Sequence, residues 1–343
     1  MHNLSAYEIS NILDKSENCL IITHINPDGD CLGSAFALME MQKAEGKKAA
    51  VACDSPVPAR LRFMDGGVIG FEEAKAGNYD LIVSVDAASP NQLGRFEEMI
   101  PSISLMIDHH RHGSPYAPGR IVPDACAAGE IIYDIYIEKR LRGKVGVNAK
   151  VLRYIYAAIA SDSGSLVLPN VTPHTLEVAA ELVAGINAAK DGGLTASDIA
   201  RLLFSTVSEK DLSANKIISK NLILSEGGRL AVTYATAEEL EAAGLEESDL
   251  GNAVDFARTL EGVLVGISLK PAGENRYKLS SRANAEIDCA SVCASFGGGG
   301  HTRAAGCTIE ASSMEEAVRI ATEKFGKLVS DYVNNNEILP ERI

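Results

Sequence analysis

No two cysteines of this 343-residue chain are spaced as Cys-x-x-Cys. The seven present, at positions 19, 31, 53, 126, 289, 293 and 307, are scattered, which argues against a zinc ribbon and against a disulfide framework. Cys289 and Cys293 share a helical face at i, i+4 spacing and read as small buried hydrophobes. Such usage fits a reducing cytoplasm. No apolar run approaches the roughly 18 residues of a membrane helix, and the N-terminal stretch has acidic residues without an apolar core, so it is not expected to be a secretory signal. A basic surplus is missing too: 46 Asp and Glu against 32 Lys and Arg leave a net charge of −14. The field of such a protein repels the backbone of long nucleic acid. A phosphate-bearing ligand would have to be held by local groups, of which a divalent cation is the strongest.

The length exceeds what one hydrophobic core usually fills, so two domains are expected. In the first half, apolar strand patterns alternate with helical ones, the signature of a parallel sheet covered by helices. The strands are CLIITH (19–24), AAVAC (49–53), DLIVSVD (80–86) and ISLMIDHH (103–110). Helices are expected at GSAFALMEMQKAEG, closed by Gly46, then at AGEIIYDIYIEKRL, VNAKVLRYIYAAIASD and TPHTLEVAAELVAG. The Gly- and Ser-containing stretch 188–197 suggests a hinge, giving a first domain over 1–190, connecting helices over 191–218 and a smaller α/β domain over 219–343. Its strands read GRLAVTYA, GVLVGISLK and RYKLSSR, with helices EELEAAG and EIDCASVCASF between them. The tail SDYVNNNEILPERI looks polar and frayed. No internal repeat, heptad run or low-complexity tract is present.

Three strand patterns end in ligand-type side chains. In open α/β sheets, ligands bind outside the carboxyl ends of the strands, which would gather His24, Asp28 and Asp30, Asp86, and Asp108 with His109 and His110 at one rim. Asp162, before the break at Gly164, could join them. Clustered carboxylates raise each other's pKa unless cations neutralise them, and oxygen donors with a minority of nitrogens suit a pair of Mn²⁺ or Mg²⁺ ions, with Zn²⁺ or Co²⁺ alternatives. Each piece has a plainer reading: His24 as a satisfied core histidine, Asp28 and Asp30 as turn residues, Asp86 as a helix cap. Their convergence favours the metal site. Pro27 and Gly29 would then supply the bend that turns two aspartates toward different ions. His2, His112 and His174 have no partner pattern and read as surface residues.

These residues carry a resemblance. HINPDGD (24–30), Asp86, DHH (108–110) and SDSG (161–164) resemble the four motifs of the DHH phosphoesterase superfamily, and GGGGH (297–301) after a helix resembles its DHH-associated domain. Within that superfamily the chain is most similar to the bacterial nano-RNase and pAp phosphatase group. The resemblance implies a DHH domain and a smaller DHH-associated domain with the active site in the cleft between them. It implies that His24 and Asp28 ligate one manganese ion and Asp30, His109 and Asp162 a second, with Asp86 bridging. His110 would orient the substrate or donate a proton, and Asp108 would support the histidines. The chain departs from the pattern at DACAAGE (124–130), at Leu166 and Val167, and at Gln92, positions that bear on substrate contact rather than on metal.

In RYKLSSR, the strand period of two puts Arg276, Lys278, Ser280 and Arg282 on one face. Arg276 and Lys278 read as a solvated face, while Arg282 matches the family's phosphate-binding arginine. One glycine suffices to end a helix. Four suggest close approach of a ligand, with free N–H groups at Gly298, Gly299 and Gly300 for phosphate oxygens and His301 beside them; Arg303 is a weaker candidate. The implied activity is hydrolysis of short oligoribonucleotides or pAp to mononucleotides by two-metal hydroxide attack on phosphorus. A pApA or cyclic-dinucleotide phosphodiesterase is the alternative, and a non-catalytic nucleotide sensor a third reading. Long duplex nucleic acid and membranes are not expected partners, and homodimerisation is left open.

Overall fold

The structure, a computed structural model, describes residues 3–64, 66–251 and 253–336. His2 and residues 337–343 of the polar tail lie outside the described residues. The chain divides between Thr206 and Val207 into two compact units.

The first unit runs α1 (Ala6–Lys15), β1 (Asn18–Ile22), α2 (Gly29–Ala44), β2 (Lys48–Ala52), β3 (Val68–Ile69), α3 (Phe71–Ala76), β4 (Leu81–Val85), β5 (Leu105–Asp108) and β6 (Gly119–Ile121). It closes with α4 (Ala128–Leu141), α5 (Ala149–Asp162), α6 (Pro173–Ala189) and α7 (Ala196–Phe204). Six parallel strands lie in the order β3-β2-β1-β4-β5-β6. Strands of this kind are buried on both faces and therefore read as continuous apolar runs. Cys19 and Ile21 pack toward α2, α4 and α5, whereas Leu20 and Ile22 pack toward Phe71, Leu93 and Phe96 on the other side. The strand order reverses between β1 and β4, and a sheet of this type opens its ligand crevice at that reversal. β3 and β6, with two and three residues, are too short to show a period in sequence.

Helix α2 is buried along almost its whole length, and its apolar residues point all round rather than to one stripe. It starts four residues before the expected GSAF, because Asp28 caps it: the Asp28 carboxylate accepts from the N–H groups of Asp30 and Cys31, both at 3.0 Å. Gly29 is thus a helical residue and not the anticipated bend; the backbone turns earlier, at Asn26, where φ is +53°. What Gly29 supplies is room, since a Cβ there would stand 2.6 Å from the Cβ of Ser161 at the end of α5. One turn on, a Cβ at Gly33 would meet the carbonyl oxygen of Tyr154 at 2.6 Å and the nitrogen of Ala158 at 2.9 Å. The two helices touch backbone to backbone. The start of α2 therefore lies beside the end of α5, which places Asp30 and Asp162 together.

The second unit contains α8 (Glu209–Lys220), β7 (Ile223–Ser225), β8 (Leu230–Tyr234), α9 (Ala237–Ala243), α10 (Ala253–Arg258), β9 (Val265–Pro271) and β10 (Arg276–Ala283). It ends with α11 (Cys289–Ala294), β11 (Gly299–His301), β12 (Ala304–Glu310) and α12 (Met314–Asn335). Its sheet has the order β11-β12-β10-β9-β8-β7 and is antiparallel except between β8 and β9. One face buries Val265, Ile267, Leu269 and Leu279 under α11 and α12, with Cys289 and Cys293 in that core as expected. The stretch read as connecting helices is divided: Ile199 of α7 joins the core of the first unit, and Ala214 and Ile218 of α8 join a core of the second. Among the described residues of the tail, 330–335 are helical rather than frayed, because α12 continues through Asn335, anchored by Ala321, Phe325 and Val329.

Replacing Gly33 by alanine should cost roughly 1–3 kcal/mol of stability through overpacking of α2 on α5, read as a lower urea midpoint at unchanged slope. An unchanged midpoint would mean that the helices can part without cost.

Candidate metal centre

β1, β4 and β5 are neighbours in the first sheet, and the chain leaves each of them through ligand-type residues at the same end. His24 follows β1, Asp86 follows β4, and Asp108 closes β5 with His109 and His110 after it. Asp28 and Asp30 come from the first turn of α2, and Asp162 is the last residue of α5. Asp86 makes no helix cap; Ser89 and Gln92 form the capping box of the next helical segment. Its φ of +57° is a left-handed conformation that aspartate tolerates better than most residues. Past Asp162, three successive residues, Gly164, Ser165 and Leu166, also have positive φ. The Asn170 amide ties this loop down by donating to the carbonyls of Cys126 and Asp162.

Asp86 is buried, with its two oxygens facing different partners. Oδ2 lies 3.6 Å from His24 Nε2, and Oδ1 lies 3.5 Å from His109 Nε2. On the first side, Asp28 Oδ1 is 3.7 Å from His24 Nε2. On the second, His109 Nε2 is 3.6 Å from Asp30 Oδ2 and 3.3 Å from Asp162 Oδ2. Two groups result that could each hold an ion, His24 with Asp28 and Cys31, and Asp30 with His109 and Asp162, while Asp86 groups with His109 and His110.

Asp30 has no solvent exposure, yet its carboxylate is well served. Oδ2 accepts from the Ala128 N–H at 2.7 Å, and Oδ1 accepts from the Gly129 N–H and the Ser34 hydroxyl, each at 3.0 Å. α4 has no side-chain cap of its own, as DACAAGE foreshadows, and takes this carboxylate from another helix instead. His110 Nδ1 lies 2.8 Å from Asp108 Oδ1, and its ring is half exposed.

Both inward histidines have a fixed tautomer. His24 Nδ1 is 2.8 Å from the Ile25 carbonyl oxygen and His109 Nδ1 is 3.2 Å from that of Ala125. A carbonyl only accepts, so each Nδ1 carries hydrogen and each Nε2 faces carboxylate oxygens with a lone pair or a second proton. The separations of 3.3 to 3.7 Å exceed ordinary N–H···O bonds. They resemble the spacing of neighbouring ligands about one cation, about 3 Å when each bond is about 2.1 Å.

The charges agree. Burial pushes the Asp30 carboxyl well above its usual range, and the charges of Asp86 and Asp162 add to the effect. Burial raises Asp86 to about 6, against the hydrogen bond from His24. For His109, burial would lower the pKa, but Asp162, Asp30 and Asp86 bring it up to about 10; His24 is raised in the same manner by Asp28 and Asp86. The cluster gathers positive charge wherever it can. Asp86 Oδ1 is also buried without a hydrogen-bond partner, so the donor set fits a pair of divalent cations.

Residues 18–159 match the model of the DHH family, N-terminal domain, and residues 227–327 match the DHHA1 domain. The chain carries a DHH family N-terminal domain followed by a DHHA1 domain. It is 29% identical over 304 residues to the bifunctional oligoribonuclease and PAP phosphatase NrnA of Thermus thermophilus, covering 87% of this chain and 86% of that protein. It is 26% identical over 322 residues to the Bacillus subtilis protein of the same name, covering 92% and 96%. A solved exopolyphosphatase-related protein from Bacteroides fragilis has the same fold, with a TM-score of 0.80, 20% identity and coverage of 95% of this chain and 96% of that one. The chain is accordingly a metal-dependent phosphoester hydrolase.

In the DHHA1 domain, Arg282 lies on the outward face of β10 and Nη1 donates to the Ser281 carbonyl at 3.0 Å. The glycine run is more occupied than expected. The N–H groups of Gly297 and Gly298 already donate to the carbonyls of Ala294 and Cys293, at 3.0 and 2.9 Å. Gly299, Gly300 and His301 pair with β12 in an exposed hairpin. A Cβ at Gly298 would stand 2.3 Å from the Gly306 carbonyl oxygen, whereas one at Gly299 would meet nothing within 4 Å. Arg303 turns aside to the Ala283 carbonyl and Glu286. His112 is exposed, and His174 is half exposed beside Asp134.

Sequence reading misses Cys31, which the capping of α2 by Asp28 brings into the first group. The available signal is its i, i+3 spacing from Asp28. The N–H groups of Ala128 and Gly129 are missed as well, and no side-chain pattern reports them.

Asp86→Asn should keep the fold and lose most bound divalent metal, measured as ions per chain after desalting, together with turnover. Full retention of both ions would remove Asp86 from the centre.

Proposed function

We propose that the chain hydrolyses short oligoribonucleotides and 3′-phosphoadenosine 5′-phosphate to mononucleotides, with two Mn²⁺ ions as cofactor. The observation that carries the metal assignment is the pair of imidazoles whose Nδ1 atoms are held by carbonyls while their Nε2 atoms flank opposite oxygens of Asp86. In this reading His24 and Asp28 hold one ion, Asp30, His109 and Asp162 the other, and Asp86 spans both. Bound there, the ions would polarise phosphoryl oxygens and lower the pKa of an attacking water. Mn²⁺ is preferred because oxygen donors outnumber nitrogens, with Mg²⁺ or Co²⁺ as substitutes.

The remaining roles fall to the protein's own groups. Asp108 holds the His110 ring by its Nδ1–H, leaving Nε2 at the surface to hydrogen-bond an oxygen of the reacting phosphate. The buried aspartates and the apolar sheet beneath them keep the two ion positions rigid. Arg282 offers a charge-assisted contact to a terminal phosphate, with His301 and the open backbone at Gly299 nearby in the same domain.

The substrate class is supported by the two similar proteins named as oligoribonucleases and PAP phosphatases and by the net charge of −14, which disfavours long polyanions. Seven free, buried thiols accord with a reducing compartment, and a cytoplasmic setting belongs to the proposal. Among the described residues no helix is long and apolar enough to cross a membrane.

A manganese-dependent hydrolysis panel tests the reading: pAp, RNA of two to about ten nucleotides, pApA, cyclic di-AMP and pyrophosphate. Turnover is expected for pAp and the shortest RNAs, falling with length. Hydrolysis confined to pApA or the cyclic dinucleotide would reassign the substrate, and turnover of none would make the protein a nucleotide sensor. Arg282→Ala should cost about tenfold in kcat/KM on phosphate-terminated substrates and much less on a chromogenic phosphodiester. Equal losses would remove Arg282 from the terminal phosphate.

A further inference from the structure

The outward face of the β9–β10 pair carries four side chains with no apolar purpose. Register sets Ser280 directly opposite Ser268, and Lys278 directly opposite Lys270. Like charges facing across an antiparallel pair destabilise the sheet. The effect is visible on Lys270, whose pKa is held below the ordinary lysine value by burial and then by the Lys278 charge. The counter-charge is partial: Lys270 donates to the Glu247 backbone carbonyl at 2.9 Å, and the Glu247 carboxylate acts on it more weakly than Lys278 does. Among the described residues, the Lys278 ammonium and the hydroxyls of Ser268 and Ser280 have no hydrogen-bond or ion-pair partner.

These four residues line one cavity of about 80 Å³, roofed by the segment around Leu250 and Val254. That is room for several water molecules, or for one tetrahedral oxyanion. Its polar side chains offer two ammonium groups and the hydroxyls of Ser268 and Ser280 on adjacent corners of two strands, with the Tyr234 phenol of β8 beside them, all able to donate. A group that only accepts, carries negative charge and presents oxygens in several directions satisfies them together. An anion would also cancel the repulsion between the facing lysines.

We propose that Ser268, Lys270, Lys278 and Ser280 form a phosphate-binding niche in the DHHA1 domain, built from residues other than Arg282 and the glycine run. Lys278, read from sequence as part of a solvated face, is its outer wall. The occupant is inorganic phosphate or the phosphate group of a nucleotide whose remaining atoms stay outside.

The full-length chain titrated with inorganic phosphate, and separately with AMP, against sodium chloride at matched ionic strength, tests this by calorimetry and thermal melting. Phosphate should bind and raise the melting temperature beyond the chloride control. Lys278→Gln should weaken that binding at least about tenfold, and Ser280→Ala should weaken it to a smaller degree. In the absence of phosphate, Lys278→Gln should melt no lower than the parent, because one of two facing charges is gone. Binding should persist in Arg282→Ala and in Asp86→Asn, which separates the niche from the terminal-phosphate contact and from the metal centre. AMP competing for the Lys278-dependent site assigns a nucleotide phosphate; AMP failing to compete assigns free phosphate. Phosphate binding that survives both Lys278→Gln and Ser280→Ala, or phosphate acting no differently from chloride, overturns the niche. Neither outcome depends on hydrolysis, so the substrate assignment stands or falls separately.

Discussion

A carboxylate with no solvent access, Asp30, ties three helices to one point. It sits in the first turn of α2, receives the first N–H groups of α4, and shares His109 with the last residue of α5. Burying that charge is tolerable only because donors surround it. They do not exhaust it, since a carboxylate has about four lone-pair sites and this one meets three donors. The unmet part of its charge, added to those of Asp86 and Asp162, is what makes a cation at the sheet reversal the natural complement.

Much of that centre is legible in the sequence because its side chains leave strands at the same end. His24, Asp86 and the DHH triplet each follow an apolar run, and the parallel sheet does the rest. Asp162 is legible less directly, from a helix that stops beside a glycine. The glycines are less legible. Gly29 looks like a bend and is a contact surface, because the atom it makes room for, the Cβ of Ser161, lies 132 positions away in the chain. Gly298 likewise packs against Gly306 at the foot of the hairpin rather than lying in an open loop. Close approaches between distant segments leave no local pattern, whereas α12 had one, at Met314, Ala317, Ala321, Phe325 and Val329, that ordinary helical spacing could have found.

The second unit deals with charge differently from the first. In the first, negative groups converge and need cations. In the second, positive groups are spread along one strand face, from Arg276 to Arg282, on a chain whose total charge is strongly negative. Long-range attraction of polyanions is thereby weak while short-range grip remains available, a combination that favours small phosphorylated molecules over extended nucleic acid.

The crowding in the glycine run has a practical side. Three of its positions are constrained by backbone conformation or by the neighbouring strand, but Gly299 faces open space, and all seven native thiols are buried. A cysteine introduced at Gly299 would be the one readily labelled thiol of the described chain, so a fluorophore or spin label could be attached to the hairpin selectively, without first stripping the protein of its own cysteines.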